Sequence, residues 1–366
     1  MKILIICNDS SGLIVFRGML IKELIKKGNE VEAIVPISDE PVEVSARKDL
    51  NAVNCKLYKV PMERRKTNPF EDLCLINDLR RVIKQSKPDL VITYTIKPNV
   101  YGGIICRFKK IPYAANITGL GTAFQSESLL KKIATFLNKI ALKKAKIVFF
   151  ENIENCRTFI DLGIVKERNT RVLNGAGVDI DKFRFSPYPA ENEDIRFLFI
   201  GRIMKEKGID EFLYSAKRLN NEYLNVRFDI VGPYEEDYQE TIEKLQKSGV
   251  INYYGYQEDV KPFIEKAHCF VLPSWHEGMA NTNLECAAMG RPIITSNIHG
   301  CLEAVAENKS GFLCEPKNAD SLYEKIKEFI ELPYEEKVEM GKAGRIRMEE
   351  IFDKRKIVKE TILQLF

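Results

Sequence analysis

Two glutamates, Glu277 and Glu285, stand eight positions apart in a stretch that passes from a small-residue loop into a helical pattern. The loop residues 278–282 place backbone N–H groups at the start of the predicted helix, where they have no intrahelical acceptor. Such amides and the positive end of the helix dipole can bind a diphosphate, while each carboxylate can accept hydrogen bonds from sugar hydroxyls. The segment indicates a sugar-nucleotide pocket. In a chain with 30% charged residues, however, the spacing alone can also arise by chance.

Basic residues follow the strand predicted over 195–200. Arg202 and Lys207 lie in the loop between Gly201, which ends that strand, and a helix that starts near Ile209. An arginine at a strand end can hold two phosphate oxygens, and a lysine close by adds a point charge. Together the two side chains would stabilise a departing diphosphate, whereas either one alone is more typical of a solvated loop.

Short apolar runs, each followed or separated by helical patterns, supply the elements that position these residues. This alternation predicts parallel strands covered by helices. Ligands of such sheets bind at the carboxyl ends of the strands. We therefore expect an α/β protein with two facing, doubly wound Rossmann-like domains and a cleft between them. The strand-like runs cover 2–7, 89–94, 111–115, 146–150, 195–200, 226–231, 250–254, 268–272 and 292–295.

The polar, proline-bearing stretch 179–194 is the expected linker. We predict a first domain over 1–186 and a second over 187–350. The segment 351–366 is a late helix that either completes the second domain or crosses back onto the first.

Composition bounds the class of protein and its partners. The 366 residues include no run of eighteen apolar residues and no signal peptide, so we expect a soluble, cytoplasmic protein. Nine scattered cysteines predict buried thiols rather than disulfides or a zinc site. Residues 1–171 hold 30 Lys and Arg against 18 Asp and Glu, and the remainder holds 26 against 34. A basic first half suits nucleic acid, an acidic membrane surface or a phosphorylated substrate, and charge does not choose among them.

Several motifs in the second half occur in one order. In sequence and spacing they resemble the retaining glycosyltransferases of family 4, which have the two-domain GT-B fold. The resemblance spans most of 195–315. Its motifs are Gly201-Arg202 with Lys207-Gly208, Val231-Gly232-Pro233, Tyr254-Gly255-Tyr256-Gln257-Glu258-Asp259, Glu277 with Glu285, Gly290-Arg291-Pro292 and Gly300.

The resemblance implies roles for several of these residues. Arg202 and Lys207 would bind the donor diphosphate, Glu277 the transferred sugar and Glu285 the ribose hydroxyls. Together Arg202, Lys207 and Glu277 form the expected catalytic set. Backbone groups of the loop would contact sugar and phosphate, although Asn281 and Thr282 are equally suited to plain helix capping. The other expected donor-binding residues are Gly12, Gly201, Gly232, Tyr256, Gly278, Met279, Ala280, Asn281 and Thr282.

Segments 61–70, 93–99 and 116–124 resemble a subgroup of that family that builds capsular, O-antigen or glycan chains. This resemblance implies a UDP-sugar donor that carries a hexose or N-acetylhexosamine, and a lipid-linked (undecaprenyl-diphosphate) saccharide acceptor. It implies no nucleic acid as a partner. Gly12 would let backbone approach the sugar or the acceptor, or it serves only the turn. The residues expected to bind the acceptor are Arg17, Arg64, Lys97, Asn116 and Thr118.

The mechanism is predicted in outline. Many family members carry a histidine in the first domain, but His268, His276 and His299 all lie in the second half. Because no first-domain carboxylate is an evident nucleophile, we expect a same-face substitution without a metal or other cofactor. The alternatives are a UDP-sugar epimerase, which needs an acid/base pair, and a nicotinamide-dependent dehydrogenase, which needs G-x-G-x-x-G. A third alternative is a binding protein without catalysis.

A lysine-flanked apolar stripe runs along a predicted helix that starts near Leu129. Such a stripe usually faces the core. It is also suited to lie on an anionic membrane surface, which a lipid-linked acceptor would favour. The apolar residues are Leu129, Leu130, Ile133, Phe136, Leu137, Ile140 and Ala141.

Overall fold

The computed structural model of the protein describes residues 1–62, 68–121, 124 and 129–366. The chain divides into two compact units, of which the first comprises Met1–Ala176 with Arg355–Phe366 and the second comprises Gly177–Lys354. Whereas the sequence placed the boundary after residue 186, the division falls between Ala176 and Gly177. The expected linker packs in the second unit because Ile180 and Phe183 belong to its core.

Parallel strands form one sheet in the described part of the first unit, in the order β3-β2-β1-β4-β5-β6-β7. Successive residues of β1 enter different cores, with Ile3 and Ile5 on one face and Leu4 and Ile6 on the other. A strand buried on both faces is typical of a parallel sheet covered by helices. The strands are β1 (Lys2–Ile6), β2 (Glu30–Pro36), β3 (Lys56–Val60), β4 (Leu90–Tyr94), β5 (Tyr113–Ile117), β6 (Ile147–Phe150) and β7 (Thr170–Val172).

Helices connect these strands, and polar side chains cap three of them, including the third, where Asn68 accepts from the Phe70 amide. Asp9 caps the first helix by accepting a hydrogen bond from the Gly12 amide, and Asn152 caps the sixth through the Asn155 amide. A π-helical turn, Pro98–Gly102, leads into the fourth helix. The helices are α1 (Ser10–Lys26), α2 (Pro41–Ala52), α3 (Pro69–Ser86), α4 (Gly103–Lys109), α5 (Leu129–Leu142) and α6 (Ile153–Asp161).

The second unit repeats the architecture with a parallel sheet in the order β10-β9-β8-β11-β12-β13. A single apolar core joins the sheet to its helices. The strands are β8 (Ile195–Ile200), β9 (Val226–Val231), β10 (Asn252–Tyr253), β11 (Cys269–Leu272), β12 (Ile293–Ser296) and β13 (Gly311–Cys314). The helices are α7 (Ile209–Glu222), α8 (Gln239–Lys247), α9 (Lys261–Lys266), α10 (Asn281–Ala288), α11 (Ala319–Glu331) and α12 (Tyr334–Arg347).

The last helix, α13 (Lys354–Leu365), packs on the first unit. Ile357 and Val358 enter one of that unit's cores. Glu360 accepts a hydrogen bond of 2.6 Å from the side chain of Arg171. The sequence left open whether this segment completes the second domain or crosses back onto the first, and the helix packs on the first.

None of the described helices is long and apolar enough to cross a bilayer. All nine cysteines are free thiols, and all but Cys74 are buried.

Candidate active site

The loops that carry the candidate catalytic residues leave neighbouring strands of the second unit. β8 and β11 are adjacent, and the strand order reverses between them, since β9 and β10 lie on one side and β12 and β13 on the other. Such a switch point separates the loops that follow the two strands and opens a crevice for a ligand. Arg202 and Lys207 follow β8, and Glu277 follows β11.

Gly208 brings these two loops into contact. Its φ of +74° is in the left-handed region, and a Cβ at this position would overlap with the carbonyl oxygen of Pro273. The Trp275 amide donates to the carbonyl oxygen of Glu206 over 3.0 Å. The loop after β11 is therefore bound to the helical turn Lys205–Lys207.

Lys207 and Glu277, which the sequence assigned to the same site, form an ion pair through Nζ and Oε1. Ser274 Oγ donates to the same carboxylate oxygen over 2.9 Å. Only 20% of the Lys207 side chain and 12% of the Glu277 side chain are exposed, so both charges are partly desolvated. Sequence reasoning missed Ser274, which lies three residues before Glu277 and just outside the segment that was singled out.

Arg202 has a carboxylate partner that the sequence did not reveal. Its NH1 lies 3.4 Å from Oε2 of Glu235, which follows β9. The adjacent loop segments are joined because the Glu235 amide donates to the carbonyl oxygen of Ile203. The guanidinium is thus held at the strand end where a phosphate group was expected to bind.

Two glycines bring the ends of β8 and β9 together. Gly232 has a φ of +147°, and a Cβ there would overlap with the carbonyl oxygen of Gly201. The Gly232 amide donates to the carbonyl oxygen of Gly255 over 2.8 Å. Tyr256 follows directly and is 61% exposed, so its ring is accessible to a planar group such as a nucleobase.

The start of α10 lacks a side-chain cap. Its N-cap is Ala280, and no side chain accepts from the first amides of this helix. The amides of Asn281 and Thr282, as the first two of the helix, have no intrahelical acceptor. The Ala280 amide was expected to be an open donor, but it donates to the carbonyl oxygen of Gly300 over 2.7 Å. Asn281 Nδ2 donates to the Met279 carbonyl oxygen over 3.3 Å rather than capping the helix.

The Gly278–Met279 segment between Glu277 and α10 is shaped by a further glycine contact. A Cβ on Gly300, which has a φ of +92°, would lie 2.7 Å from the Glu277 carbonyl oxygen. Met279 is buried in the core. The loop is therefore packed from both sides, and its backbone is fixed close to the ion pair.

Glu285 lies in the middle of α10 and is half-buried. Burial raises the pKa of its carboxyl group to about 7, and the charges of Lys182 and Lys354 oppose this rise. A carboxyl group whose pKa is near 7 is partly protonated at neutral pH. It can then accept hydrogen bonds from hydroxyl groups or donate one to them. Strongly perturbed carboxyl groups are frequent at functional sites.

The three histidines differ in their surroundings. His268 is buried, and its Nδ1 lies 3.2 Å from the Arg196 amide that donates to it. Burial lowers the pKa of His268 to about 4, which is consistent with a neutral structural ring. His276 Nε2 lies 3.3 Å from Glu206 Oε2, and His299 Nδ1 lies 2.8 Å from Glu303 Oε1.

In the first unit, Gly12 lies in the first turn of α1. A Cβ at this position would lie 2.8 Å from Asp9 Oδ2, so a larger residue here would require the capping carboxylate to shift. The amides of Ser10 and Ser11 donate to the two carboxylate oxygens of Glu43 over 3.0 and 3.1 Å. An internal carboxylate thus already occupies the start of α1.

Both described basic residues of the predicted acceptor set are paired with acids. Arg17 NH2 lies 2.7 Å from Glu151 Oε1, and its guanidinium lies 4.9 Å from the ring centre of Tyr94. Lys97 Nζ lies 2.9 Å from Asp72 Oδ1. Sequence reasoning missed both acids because each is far along the chain from its partner.

Asn116 was expected to follow a strand, but it lies within β5 and is buried. Its side chain donates to the carbonyl oxygen of Thr93 over 3.2 Å. Thr118 follows the strand and is half-buried. Arg64 lies outside the described residues.

Metal-binding clusters are not found in the described part of the chain: no group of three or more His, Cys, Asp or Glu residues could hold an ion there. The Asp179-Ile180-Asp181 segment forms a turn in which Asp179 accepts from the amides of Asp181 and Lys182.

Two family models match the chain. The model for glycosyl transferases group 1 matches residues 180–347, and the model described as glycosyl transferase 4-like matches residues 2–152. The first match contains every candidate catalytic residue.

The chain is similar to curated proteins that are named as glycosyltransferases. One is the N,N'-diacetylbacillosaminyl-diphospho-undecaprenol alpha-1,3-N-acetylgalactosaminyltransferase of Campylobacter jejuni, which is 27% identical over 100% of this chain and 98% of the relative. Another is the UDP-Gal:alpha-D-GlcNAc-diphosphoundecaprenol alpha-1,3-galactosyltransferase of Escherichia coli, which is 28% identical over 73% of this chain and 72% of the relative. These names support a transferase and not the epimerase alternative.

Solved structures share the fold over the whole chain. A glycosyltransferase from Rickettsia africae matches with a TM-score of 0.78 at 19% identity, covering 100% of this chain and 97% of its own. Anabaena Alr3699/HepE, solved in complex with UDP, matches with a TM-score of 0.79 at 16% identity, covering 100% and 99%. The Rossmann-like units predicted from the sequence are confirmed. With one family model on each half, the chain belongs to the glycosyltransferases that combine a 4-like N-terminal domain with a group 1 C-terminal domain.

Proposed function

We propose that this glycosyltransferase moves a hexose or an N-acetylhexosamine from a UDP-sugar to a saccharide linked to undecaprenyl diphosphate, in the assembly of a surface polysaccharide or glycan. The names of the Campylobacter and Escherichia relatives support this acceptor class, and the UDP in the Anabaena structure supports the nucleotide. One observation carries the proposal: Lys207 and Glu277 are paired at the switch point of the second unit, beside the uncapped start of α10.

The donor would be held by contacts of three kinds. Arg202, Lys207 and the first amides of α10 bind the diphosphate, since each supplies positive charge or a hydrogen-bond donor. Glu285 accepts hydrogen bonds from the ribose hydroxyls, and the exposed ring of Tyr256 stacks on the base. Glu277 then binds a hydroxyl group of the transferred sugar.

The reaction would be a same-face substitution with retention of configuration. The bond between the anomeric carbon and the diphosphate oxygen breaks, and the acceptor oxygen bonds to the same face of that carbon. The acceptor proton passes to the departing diphosphate. Lys207 and Arg202 stabilise the negative charge that grows on the diphosphate, so the enzyme acts mainly by electrostatic stabilisation and needs no metal.

Residues of the first unit would bind the acceptor. Arg17 and Lys97 are suited to its diphosphate, because each is a largely buried cation already oriented by a carboxylate. Thr118 adds a hydroxyl group at the end of β5.

The experiment incubates the purified protein with a panel of UDP-sugars and undecaprenyl-diphosphate-linked saccharides and measures UDP release. Removing one such charge contact typically costs about 100-fold or more in turnover, so Arg202→Ala and Lys207→Ala should each show a loss of that order. The matched control is Lys244→Ala, which removes an exposed lysine on α8. Unchanged kinetics in both site variants would refute the assignment.

Two further measurements test the predicted retention of configuration and the metal-free mechanism. The anomeric configuration of the product, determined by nuclear magnetic resonance, should equal that of the donor, and an inverted product would exclude retention. Activity should persist with a chelator. Activity that is lost with the chelator and restored by a divalent cation would overturn the metal-free mechanism.

We also propose that the protein binds the cytoplasmic face of the membrane through α5. Leu129, Leu130 and Phe136 are 73%, 66% and 62% exposed, so the first part of the apolar stripe does not face the core. Residues 129–146 contain six lysines and no acid. Exposed apolar side chains beside lysines favour an anionic lipid surface.

Cosedimentation with phosphatidylglycerol vesicles tests this binding. Replacing Leu130 and Phe136 together by serine should weaken binding about 100-fold or more, since each buried apolar side chain contributes about 1.5–3 kcal/mol. Leu224→Ser is the control, because Leu224 is 93% exposed on the second unit. Equal binding to phosphatidylcholine vesicles would contradict the role of charge, and an unaffected α5 variant would contradict the role of α5.

A further inference from the structure

Trp275, the only tryptophan of the chain, is held by both its backbone and its side chain. Its amide donates to Glu206, and its indole Nε1 donates to Glu211 Oε1 over 2.9 Å. The amino groups of Lys205 and Lys317 lie 5.6 and 4.9 Å from the ring centre. The ring is therefore fixed by one hydrogen bond and two cation–π contacts.

Glu211 is an unusual partner for this indole. It lies in the first turn of α7 and is 5% exposed, and its Oε2 has no hydrogen-bond partner among the residues that the structure describes. A carboxylate buried with so few donors costs free energy, although the start of a helix offsets part of that cost. Stability alone does not account for a glutamate here.

The contact between Trp275 and Glu211 joins the same two chain segments as the ion pair. Trp275 precedes Glu277 in the loop after β11, and Glu211 follows Lys207 by about one helical turn. The hydrogen bond between Trp275 and Glu211 therefore links residues that are close in sequence to Glu277 and to Lys207. A shift of the indole would move the loop that carries Glu277 relative to the turn that carries Lys207.

We infer that Trp275 and Glu211 are positioning residues that hold Lys207 and Glu277 in the geometry required for sugar transfer. The inference rests on the function proposed for this site. We place Trp275 behind the ion pair as a positioning residue, because its hydrogen bonds and cation–π contacts are with Glu206, Glu211, Lys205 and Lys317.

Trp275→Phe tests the inference, because phenylalanine keeps an aromatic ring and removes the indole donor. Misplacement of a catalytic group by about 1 Å can cost up to about 100-fold, and we expect kcat to fall about tenfold with the donor KM within about twofold. Glu211→Gln, which keeps an acceptor for the indole, should retain most of the activity. The matched control is Tyr223→Phe, which removes a 3.0 Å hydrogen bond from an aromatic side chain to Glu331 elsewhere in the unit.

A double substitution separates positioning from general damage. If Trp275 acts through Lys207, then Trp275→Phe should lower kcat by less than about twofold when Lys207 is already alanine. A full tenfold loss in that background, or an unchanged kcat in the single variant, would overturn the inference. If the wild-type protein released no UDP from any donor, the proposed function would fail instead. Loss of activity in Lys207→Ala but not in Trp275→Phe would leave that function standing and remove only the positioning role.

Discussion

Glu285→Gln should stabilise the second unit at alkaline pH while it weakens donor binding. Burial raises the pKa of the Glu285 carboxyl group from 4.5 to about 7. The folded protein therefore holds a proton on this group more tightly than the unfolded chain does. The stabilisation that accompanies this proton is fully present below pH 4.5 and is lost as the pH rises through about 7.

The size of the effect follows from the pKa. One pKa unit corresponds to about 1.4 kcal/mol, so the rise from 4.5 to about 7 sets an upper limit of about 3 kcal/mol. Because the side chain keeps some contact with solvent, we expect about 1–2 kcal/mol. Glutamine keeps the shape and is neutral at every pH. The variant should thus match the wild type near pH 4.5 and exceed its free energy of unfolding at pH 8.

Urea unfolding followed by tryptophan fluorescence measures this difference. Trp275 is the only tryptophan and lies in the same unit as Glu285, so its emission reports the relevant unfolding. Glu258→Gln, at an exposed position of that unit, is the control and should show no such pH dependence. Equal stability of the Glu285 variant and the wild type from pH 5 to pH 8 would refute the reasoning. A rise in stability together with a higher UDP-sugar KM would show that the carboxylate is kept for function.

Three shorter predictions concern other residues. Gly232→Ala would place a Cβ against the Gly201 carbonyl oxygen and should lower the free energy of unfolding, measured by denaturant titration, by about 3 kcal/mol or more. The control Gly28→Ala, with open space around its Cβ, should lower it by only about 1–2 kcal/mol. Arg291→Ala should cost about 3 kcal/mol or more in the same assay, because the buried guanidinium donates to four carbonyl oxygens, and Arg291→Lys should restore less than half of the loss. The pKa of His268 is lowered to about 4, so the stability from its neutral ring is present above pH 6.5 and lost as the pH falls towards 4; His268→Gln should flatten that decline in unfolding curves.

Much of the fold could be predicted because the second unit follows simple patterns. The apolar runs over 195–200 and 226–231 coincide with β8 and β9, and α7 begins at the expected Ile209. The strand β2 (Glu30–Pro36) was not predicted from the sequence. β2 contains Glu32, whose carboxylate is buried and lies 3.2 Å from Lys56 on the neighbouring strand. A pairing between strands satisfies that charge, and local sequence does not reveal it.

The loops of the candidate site were evident from the sequence, and their partners were not. Lys207 and Glu277 were both identified because each lies in a recognisable motif. Glu235 and Glu211 were missed because they have no motif and act only through contacts that form on folding. The stripe on α5 shows the same limit, since its periodicity is equally suited to a core-facing helix and to an exposed one.

Carboxylates accompany all the described cations that the sequence assigned to binding of the donor or the acceptor. The pairs are Arg17 with Glu151, Lys97 with Asp72, Arg202 with Glu235 and Lys207 with Glu277. These acids hold each cation in one orientation and offset part of its charge. In the proposed ground state, the donor diphosphate would therefore share Arg202 and Lys207 with internal carboxylates. In the proposed reaction, negative charge grows on the leaving diphosphate as the glycosidic bond breaks, and Arg202 and Lys207 would interact with it more strongly than before. Binding that strengthens towards the transition state accelerates the reaction, whereas equally tight binding of the substrate would not.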